Sequence, residues 1–352
     1  MTKKIRVLVV DDSALMRKII PSLLEEASDI EVVGVAADPM IARQKIKQLD
    51  PDVVTLDVEM PKMDGLSFLE KIMSLRPMPV LMISSLTQKG ADITLQALEL
   101  GAVDVVGKPA LDVAANMESL GAEIINKVRV AAKSNVTRRA NSGQKVRPLK
   151  VEGFSTTEKI VAIGASTGGV ETLGRILEGC PANMPGMVIT QHMPANFTAK
   201  FAERLDRSCA MKIREAVDGE RIRPGDVWIA PGDAHLEVKR SGADYVCKVY
   251  HGEPVSGHCP SVDVLFKSVA KACGKNAVGV ILTGMGKDGA DGLLEMRNAG
   301  AKTIGQDEAT SIVYGMPKAA YDIGAVEKQL PEDKILGSII NLVSQQSKAI
   351  RI

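Results

Sequence analysis

Five short apolar runs, RVLVV, EVVGVAA, DVVTLDV, PVLMISS and VDVVG, recur between Ile5 and about Lys133, alternating with amphipathic stretches at 13–27, 38–48, 65–74, 89–100 and 112–133. Runs this short and this apolar predict strands buried on both faces, and right-handed crossovers place the intervening helices on the two sides of one parallel, doubly wound sheet. Such a sheet binds ligands outside the carboxyl ends of its strands. At those ends stand Asp11 and Asp12, then Asp57, then Ser84 and Ser85, then Lys108 before Pro109. Any one of these aspartates could be a solvated loop residue. Carboxylates converging at one edge, however, repel unless a divalent cation lies among them, and hard oxygen ligands favour Mg²⁺, with a lysine opposite to hold an anion.

The second half is organised around Lys159 to Gly169, KIVAIGASTGG, an apolar run that predicts a buried strand ending at Ser166 among small residues, followed by a helix. Small neighbours let the backbone turn sharply, so a serine hydroxyl stands clear beside a helix N-terminus. The same pattern suits a glycine-rich turn that grips a phosphate or simply packs closely. Two further strand ends bring polar groups to that edge: GMVITQH ends at Gln191-His192, and AVGVILTG runs into Gly284-Met285-Gly286-Lys287-Asp288. A serine nucleophile needs a base, imidazole suits neutral pH, and a carboxylate fixes its tautomer. Ser166, His192 and Asp288 can supply that set. His192 could instead be a hydrogen-bonded loop histidine, Asp288 could cap the following helix, and His235, His251 and His258 are rivals for the base. The order serine, histidine, acid differs from that of an ordinary α/β-hydrolase.

Around this frame the sequence predicts a helix near 169–179, a helix over FTAKFAERLD capped by Asn196, and a strand-rich stretch at 212–250. There DVWIAP, HLEVKR and YVCKVY suggest a β-hairpin inserted into the α/β scaffold, and the helices GADGLLEMRNAG and PEDKILGSIINLV follow. Between the halves, Asn126 to Lys150 holds eight Lys or Arg and no Asp or Glu, which reads as a basic linker, or as a docking segment for an acidic partner. The division is then 1–125, a linker at 126–156, and 157–352. A net charge of +1 gives no overall pull towards nucleic acid or anionic lipid, and no helix-turn-helix pattern is evident. The first apolar run stops at two aspartates, too short for a signal peptide or a span, so the expectation is a cytoplasmic protein without membrane insertion. The five cysteines lack CxxC spacing, which indicates neither a zinc site nor a disulfide framework.

Residues 4–125 resemble two-component receiver domains, flavodoxin-like in fold. The resemblance implies phosphorylation at Asp57 by a histidine kinase, a switch formed by Ser84 and Lys108, and Mg²⁺ held by Asp11 or Asp12, Asp57 and the backbone carbonyl of Glu59. Val105 stands where that family often has an aromatic residue. The second half resembles the catalytic domain of chemotaxis-type protein-glutamate methylesterases through GASTGG, QHMP, PGDAH, PSVD and TGMGKDG. That resemblance implies a nucleophile at Ser166, a base at His192, an acid at Asp288 and an oxyanion-hole amide at Met285. It further implies hydrolysis of γ-glutamyl methyl esters and deamidation of glutamines on the cytoplasmic domains of chemoreceptors, with no cofactor for the esterase reaction and with an unphosphorylated receiver that restrains it. Cys259 replaces an arginine common in the family before Pro260. The reading from another class is a response regulator whose output domain binds a partner without catalysis.

Overall fold

The computed structural model describes residues 3–60, 64–85, 88–108, 113–136 and 158–348. The chain divides into two compact units, Met1–Asn141 and Ser142–Ile352. Among the described residues no helix is long and apolar enough to cross a membrane.

The first unit runs β1 (Ile5–Val10), α1 (Met16–Glu25), β2 (Ile30–Ala36), α2 (Pro39–Leu49), β3 (Val53–Asp57), α3 (Gly65–Leu75), β4 (Val80–Ser85), α4 (Gln88–Glu99), β5 (Asp104–Lys108) and α5 (Val113–Ala131). The strands form one parallel sheet in the order β2-β1-β3-β4-β5. Val7–Val10, Val53–Asp57 and Val80–Ile83 are buried throughout, as strands covered on both faces must be. Strand order reverses between β1 and β3, so the crevice beyond their ends lies between Asp11 and Asp57. Because α5 continues to Ala131, the basic stretch counted from Asn126 begins inside that helix, while residues 137–156 of the linker, and Pro109, lie outside the described residues.

The second unit runs β6 (Ile160–Ala165), α6 (Gly169–Glu178), β7 (Gly186–Gln191), α7 (Ala195–Ser208), β8 (Lys212–Glu215), β9 (Asp226–Ile229), β10 (His235–Ser241) and β11 (Asp244–Tyr250). It continues with α8 (Val262–Cys273), β12 (Ala277–Ile281), α9 (Ala290–Asn298), β13 (Lys302–Gln306), α10 (Met316–Asp322), β14 (Lys328–Leu330) and α11 (Glu332–Lys348). Seven strands make a parallel sheet in the order β14-β13-β12-β6-β7-β9-β8. The chain leaves β6 towards β7 and returns on its other side at β12, so the switch point lies between β6 and β12.

Two expectations change. DVWI does not belong to the hairpin: its buried run joins the main sheet as β9, parallel to β7, and Lys212–Glu215 adds β8 at the edge. The hairpin is β10 with β11, a separate antiparallel pair. Asn196 does not cap α7, because the helix already begins at Ala195; Pro194 is the extended residue before it and forms no side-chain cap.

The hairpin matters for what it presses into place. Leu236, Val238, Tyr245 and Cys247 share a buried cluster with Val262, Leu265, Phe266 and Val269 of α8, and the Val238 N–H donates to Ser268 Oγ at 2.9 Å. Helix α8 in turn lies close against β6: a side chain at Gly164 would collide with Val262 and Phe266. Gly164→Ala should therefore cost about 1–3 kcal/mol through overpacking. Adding Val262→Ala should recover part of that loss, a non-additivity that urea unfolding of the single and double variants would measure. Fully additive losses would show that the two positions do not compete for space.

Candidate active site

Strands β6 and β7 pair Ala165 with Gln191, so the next residue of each, Ser166 and His192, leaves the sheet from adjacent strands about 4.8 Å apart. The His192 N–H still donates to Ala165 O at 3.1 Å. The Ser166 turn is pinned on three sides. Its N–H donates to Thr283 O at 3.0 Å, and its carbonyl accepts from the Gly169 N–H at 2.7 Å and from Gln191 Nε2 at 3.0 Å. Gln191 Nε2 also donates to His192 O at 3.1 Å, tying the two loops together. Gly168 closes the turn at φ +79°, a left-handed conformation that a side chain would strain.

Asp288 is 1% exposed and accepts four hydrogen bonds. Oδ1 takes Ser261 Oγ at 2.8 Å and the Asp263 N–H at 3.1 Å; Oδ2 takes the Val262 N–H at 2.7 Å and His192 Nε2 at 2.8 Å. Burial acts to raise this carboxyl, but the bonds from His192 and from the Val262 and Asp263 amides hold it below its ordinary value. The carboxylate thus sits at the N-terminus of α8, where unsatisfied amides and the helix dipole favour an anion, and not on α9, whose N-cap is Gly289. An ionised carboxylate only accepts, so the neutral His192 ring carries its proton on Nε2 and leaves a lone pair on Nδ1. That Nδ1 is buried and has no hydrogen-bond partner among the described residues.

The rival histidines separate on their partners. His235 is 1% exposed, with Nε2 donating to Glu253 O at 3.0 Å and Nδ1 accepting from the Ser261 N–H at 3.2 Å. Both nitrogens serve the backbone, which makes it a strut for the loop before α8. His251 is exposed and its Nδ1 bonds to Asp233 O at 3.0 Å. His258 stacks on the His192 ring. Neither the carboxylate cradle at Ser261–Asp263, nor the Gln191 bridge, nor this stack follows from strand-end reasoning; PSVD stood out in the sequence without a part to play.

The loop after β12 is held from the far side: Gly284 N–H donates to Val313 O at 3.0 Å, and Gly284 O accepts from Gly315 and Met316 at 3.1 and 2.9 Å. A side chain at Gly284 would meet the Ser166 Cβ at 2.8 Å, so the loop passes against the serine. Half-buried Met285 follows directly.

In the first unit, Lys108 Nζ lies 3.1 Å from Asp11 Oδ2 and 2.8 Å from Asp57 Oδ2, both carboxylates being buried. Burial pushes the Asp57 carboxyl up to about 6 against the pull of the Lys108 ammonium; burial would lower Lys108, but its pairing with Asp57 and Asp11 raises it. Asp11, Asp12 and Asp57 each offer an oxygen, all within 4.8 Å of one another, a hard donor set that fits Mg²⁺. The Glu59 N–H donates to Asp57 Oδ1 at 3.2 Å. Ser84 is buried and its Oγ accepts from Thr94 Oγ1 on α4 at 2.8 Å. Val105 is buried in β5. All five cysteines are free; Cys180, Cys247 and Cys273 are buried, and Cys209 and Cys259 partly so.

Residues 161–339 match the family model for the CheB methylesterase, and residues 7–116 match that for the response regulator receiver domain. A Caulobacter vibrioides protein named protein-glutamate methylesterase/protein-glutamine glutaminase 1 is 60% identical, covering 97% of this chain and 98% of that one. A Geobacter metallireducens protein of the same name is 53% identical over 100% of this chain and 99% of its own. The crystal structure of the Thermotoga maritima CheB methylesterase catalytic domain aligns with a TM-score of 0.51 at 38% identity, covering 52% of this chain and 98% of that domain.

The Asp57 environment has a consequence for stability. Its folded value, about 6, lies above the unfolded value near 3.9, so between about pH 4 and 6 the folded unit binds more protons than the unfolded chain. Stability from this group therefore falls as pH rises through that window and levels off above it. In chelator, the melting transition of the first unit should rise by a few degrees from pH 7 to pH 5, and Asp57→Asn should remove most of that dependence. Equal pH dependence in the two proteins would contradict the raised carboxyl.

Proposed function

The chain belongs to the CheB methylesterase family, and from that membership we propose how its residues demethylate and deamidate chemoreceptors under receiver control. It is a protein-glutamate methylesterase and protein-glutamine glutaminase carrying a response-regulator receiver domain, a phosphorylation-regulated enzyme of chemotactic adaptation. The observation that carries the mechanism is the pair of loops leaving β6 and β7 together, with His192 Nε2 held 2.8 Å from a buried anionic Asp288.

Ser166 is the nucleophile. As Oγ attacks the γ-carbonyl carbon of a glutamyl methyl ester, its proton passes to His192 Nδ1, and Asp288 stabilises the imidazolium through Nε2. The carbonyl oxygen, now an oxyanion, is met by the Met285 N–H. When the tetrahedral intermediate collapses, His192 returns the proton to the leaving methoxide, methanol departs, and an acyl-enzyme remains on Ser166. Water attacks the acyl carbon with His192 again taking a proton; the bond to Ser166 Oγ then breaks, His192 returns the proton to Oγ, and the glutamate carboxylate is released. A glutamine substrate follows the same course with ammonia leaving, so one site serves both reactions and needs no cofactor. The substrates are glutamates and glutamines on cytoplasmic receptor domains, reached by a cytoplasmic enzyme without membrane insertion or nucleic-acid binding.

In the receiver, Asp57 accepts phosphate from a histidine kinase. Asp11, Asp12 and the Glu59 carbonyl would hold Mg²⁺ together with Asp57, neutralising charge on the transferring phosphoryl group. Ser84 and Lys108 then turn to the phosphate, and the receiver's population shifts to a form that restrains the esterase less. A tenfold activation needs a difference of only about 1.4 kcal/mol between the two forms.

Methanol release from methylated receptor membranes tests the triad. Ser166→Ala and His192→Ala should each lower kcat by on the order of 10⁴-fold or more, and Asp288→Asn should retain more activity. A serine-directed fluorophosphonate should label Ser166; an unlabelled domain that still binds receptor would favour a non-catalytic output module.

Regulation is tested on the intact chain. Phosphodonor with Mg²⁺ should raise its rate, Asp57→Asn should stay slow, and a fragment of residues 151–352 should be fast without phosphodonor. A fragment no faster than the unphosphorylated chain would mean that the receiver activates the esterase instead of restraining it.

A further inference from the structure

Asp288 secures only one edge of the His192 ring. Nε2 is bound at 2.8 Å, while Nδ1, the atom that has to meet Ser166 Oγ, has no hydrogen-bond partner among the described residues. A ring tethered at one nitrogen can still roll about that bond, and a roll of about 30° takes the Nδ1 lone pair out of line with a serine hydroxyl. Something else must set the plane of the ring.

His258 lies against its face. The two ring centroids are 3.7 Å apart and the planes are within 13° of parallel. At that separation the rings are in van der Waals contact, so His192 cannot roll without driving an edge into its neighbour.

His258 is itself firmly mounted. Val255 and His258 exchange two backbone hydrogen bonds of 3.0 Å, and between them Ser256 and Gly257 take φ of +54° and +80°, the signature of a type I′ turn. Serine is unfavourable in that conformation; here its Oγ donates to Asp263 Oδ2 at 3.1 Å. Asp263 Oδ1 is bound in turn by the Gly292 N–H at 2.7 Å, and the Asp263 N–H donates to Asp288. The first turn of α8 therefore anchors both the carboxylate that grips the edge of His192 and the loop that covers its face.

We propose that His258 is a positioning residue of the esterase, holding the His192 imidazole by stacking in the plane that aims Nδ1 at Ser166 Oγ, without itself transferring a proton. The inference rests on the methylesterase reading of Ser166 and His192. Burial, and then the neighbouring His192, push the His258 imidazole down to about 4, so at neutral pH the stacked ring is uncharged. It adds no repulsion when His192 takes up the serine's proton.

The test uses the intact, phosphorylated chain and measures kcat and KM for methanol release, together with the rate of Ser166 labelling by a fluorophosphonate. His258→Ala should lower kcat and the labelling rate about tenfold to a hundredfold with KM little changed, the scale expected of a misaimed catalytic group. His258→Phe, a flat uncharged ring, should restore both to within about threefold of the parent. Should the alanine variant not fold, His258→Leu, which fills volume without a planar face, replaces it with the same expectation. A His258→Ala enzyme with the parent's kcat would overturn the proposal. So would a phenylalanine variant as slow as alanine, because that result requires the ring nitrogens and not the plane. Ser166→Ala assayed alongside separates the two readings: if it is inert while His258→Ala is unimpaired, only the positioning role is lost, and if it keeps its activity, the underlying mechanism is lost with it.

Discussion

The catalytic unit depends on one buried negative charge. Asp288 is shut away from water, and an isolated carboxylate there would simply protonate. Four donors prevent this: the Ser261 hydroxyl, the Val262 and Asp263 amides and the His192 ring. Three of them come from the start of α8, so the anion exists only if that helix begins in the right place. The hairpin β10–β11, the strut His235 and the close approach of Val262 to Gly164 all bear on that placement. A feature that looks peripheral, a two-stranded ribbon beside the main sheet, thereby bears on the charge of Asp288 and the tautomer of His192.

Both units apply the same geometric rule to different chemistry. In each, strand order reverses once, and the residues proposed to react stand at the strand ends flanking the reversal: Asp11 and Asp57 beyond β1 and β3, Ser166 and the Met285 loop beyond β6 and β12. The diverging loops leave a crevice there, and parallel strands deliver their last residues to a common edge. What differs is the compensation of charge. The receiver gathers carboxylates around a lysine, with oxygens of Asp11, Asp12 and Asp57 within 4.8 Å of one another. The esterase isolates one carboxylate among amides and spends its charge on a single imidazole.

The β6–β7 and β12 loops are also fastened to one another. Ser166 hangs from Thr283 by its amide and from Gln191 by its carbonyl, and Gln191 holds the His192 carbonyl with the same nitrogen. Thr283 Oγ1 donates to Thr167 O at 2.9 Å and accepts from the Val313 N–H at 3.0 Å, bringing the loop after β13 into the same network. Geometry of this kind is set by rigid elements and not by the reacting side chains, which is what preorganisation requires.

Sequence by itself determined the sheets and the residues at their edges. Strands buried on both faces must be apolar throughout, so runs such as KIVAIGA and AVGVILTG mark themselves, and whatever polar residue ends the run is delivered to the edge where ligands bind. That is why Asp11, Asp57, Lys108, Ser166, His192 and the Met285–Asp288 loop could be read directly, and why the motifs around them carried a family resemblance. Only the tertiary structure decided which partners those residues have. The cradle of Asp288 comes from residues about 26 positions earlier, on a helix whose register no periodicity reveals. His235 and His258 look equivalent along the chain, yet one spends both nitrogens on backbone and the other lies flat on His192. DVWI looked like part of a ribbon until its burial between β7 and β8 placed it in the main sheet. Alternation and apolar runs are local properties that one segment expresses alone, whereas hydrogen-bond partners and ring contacts are fixed by long-range packing, which the local pattern of any one segment does not encode.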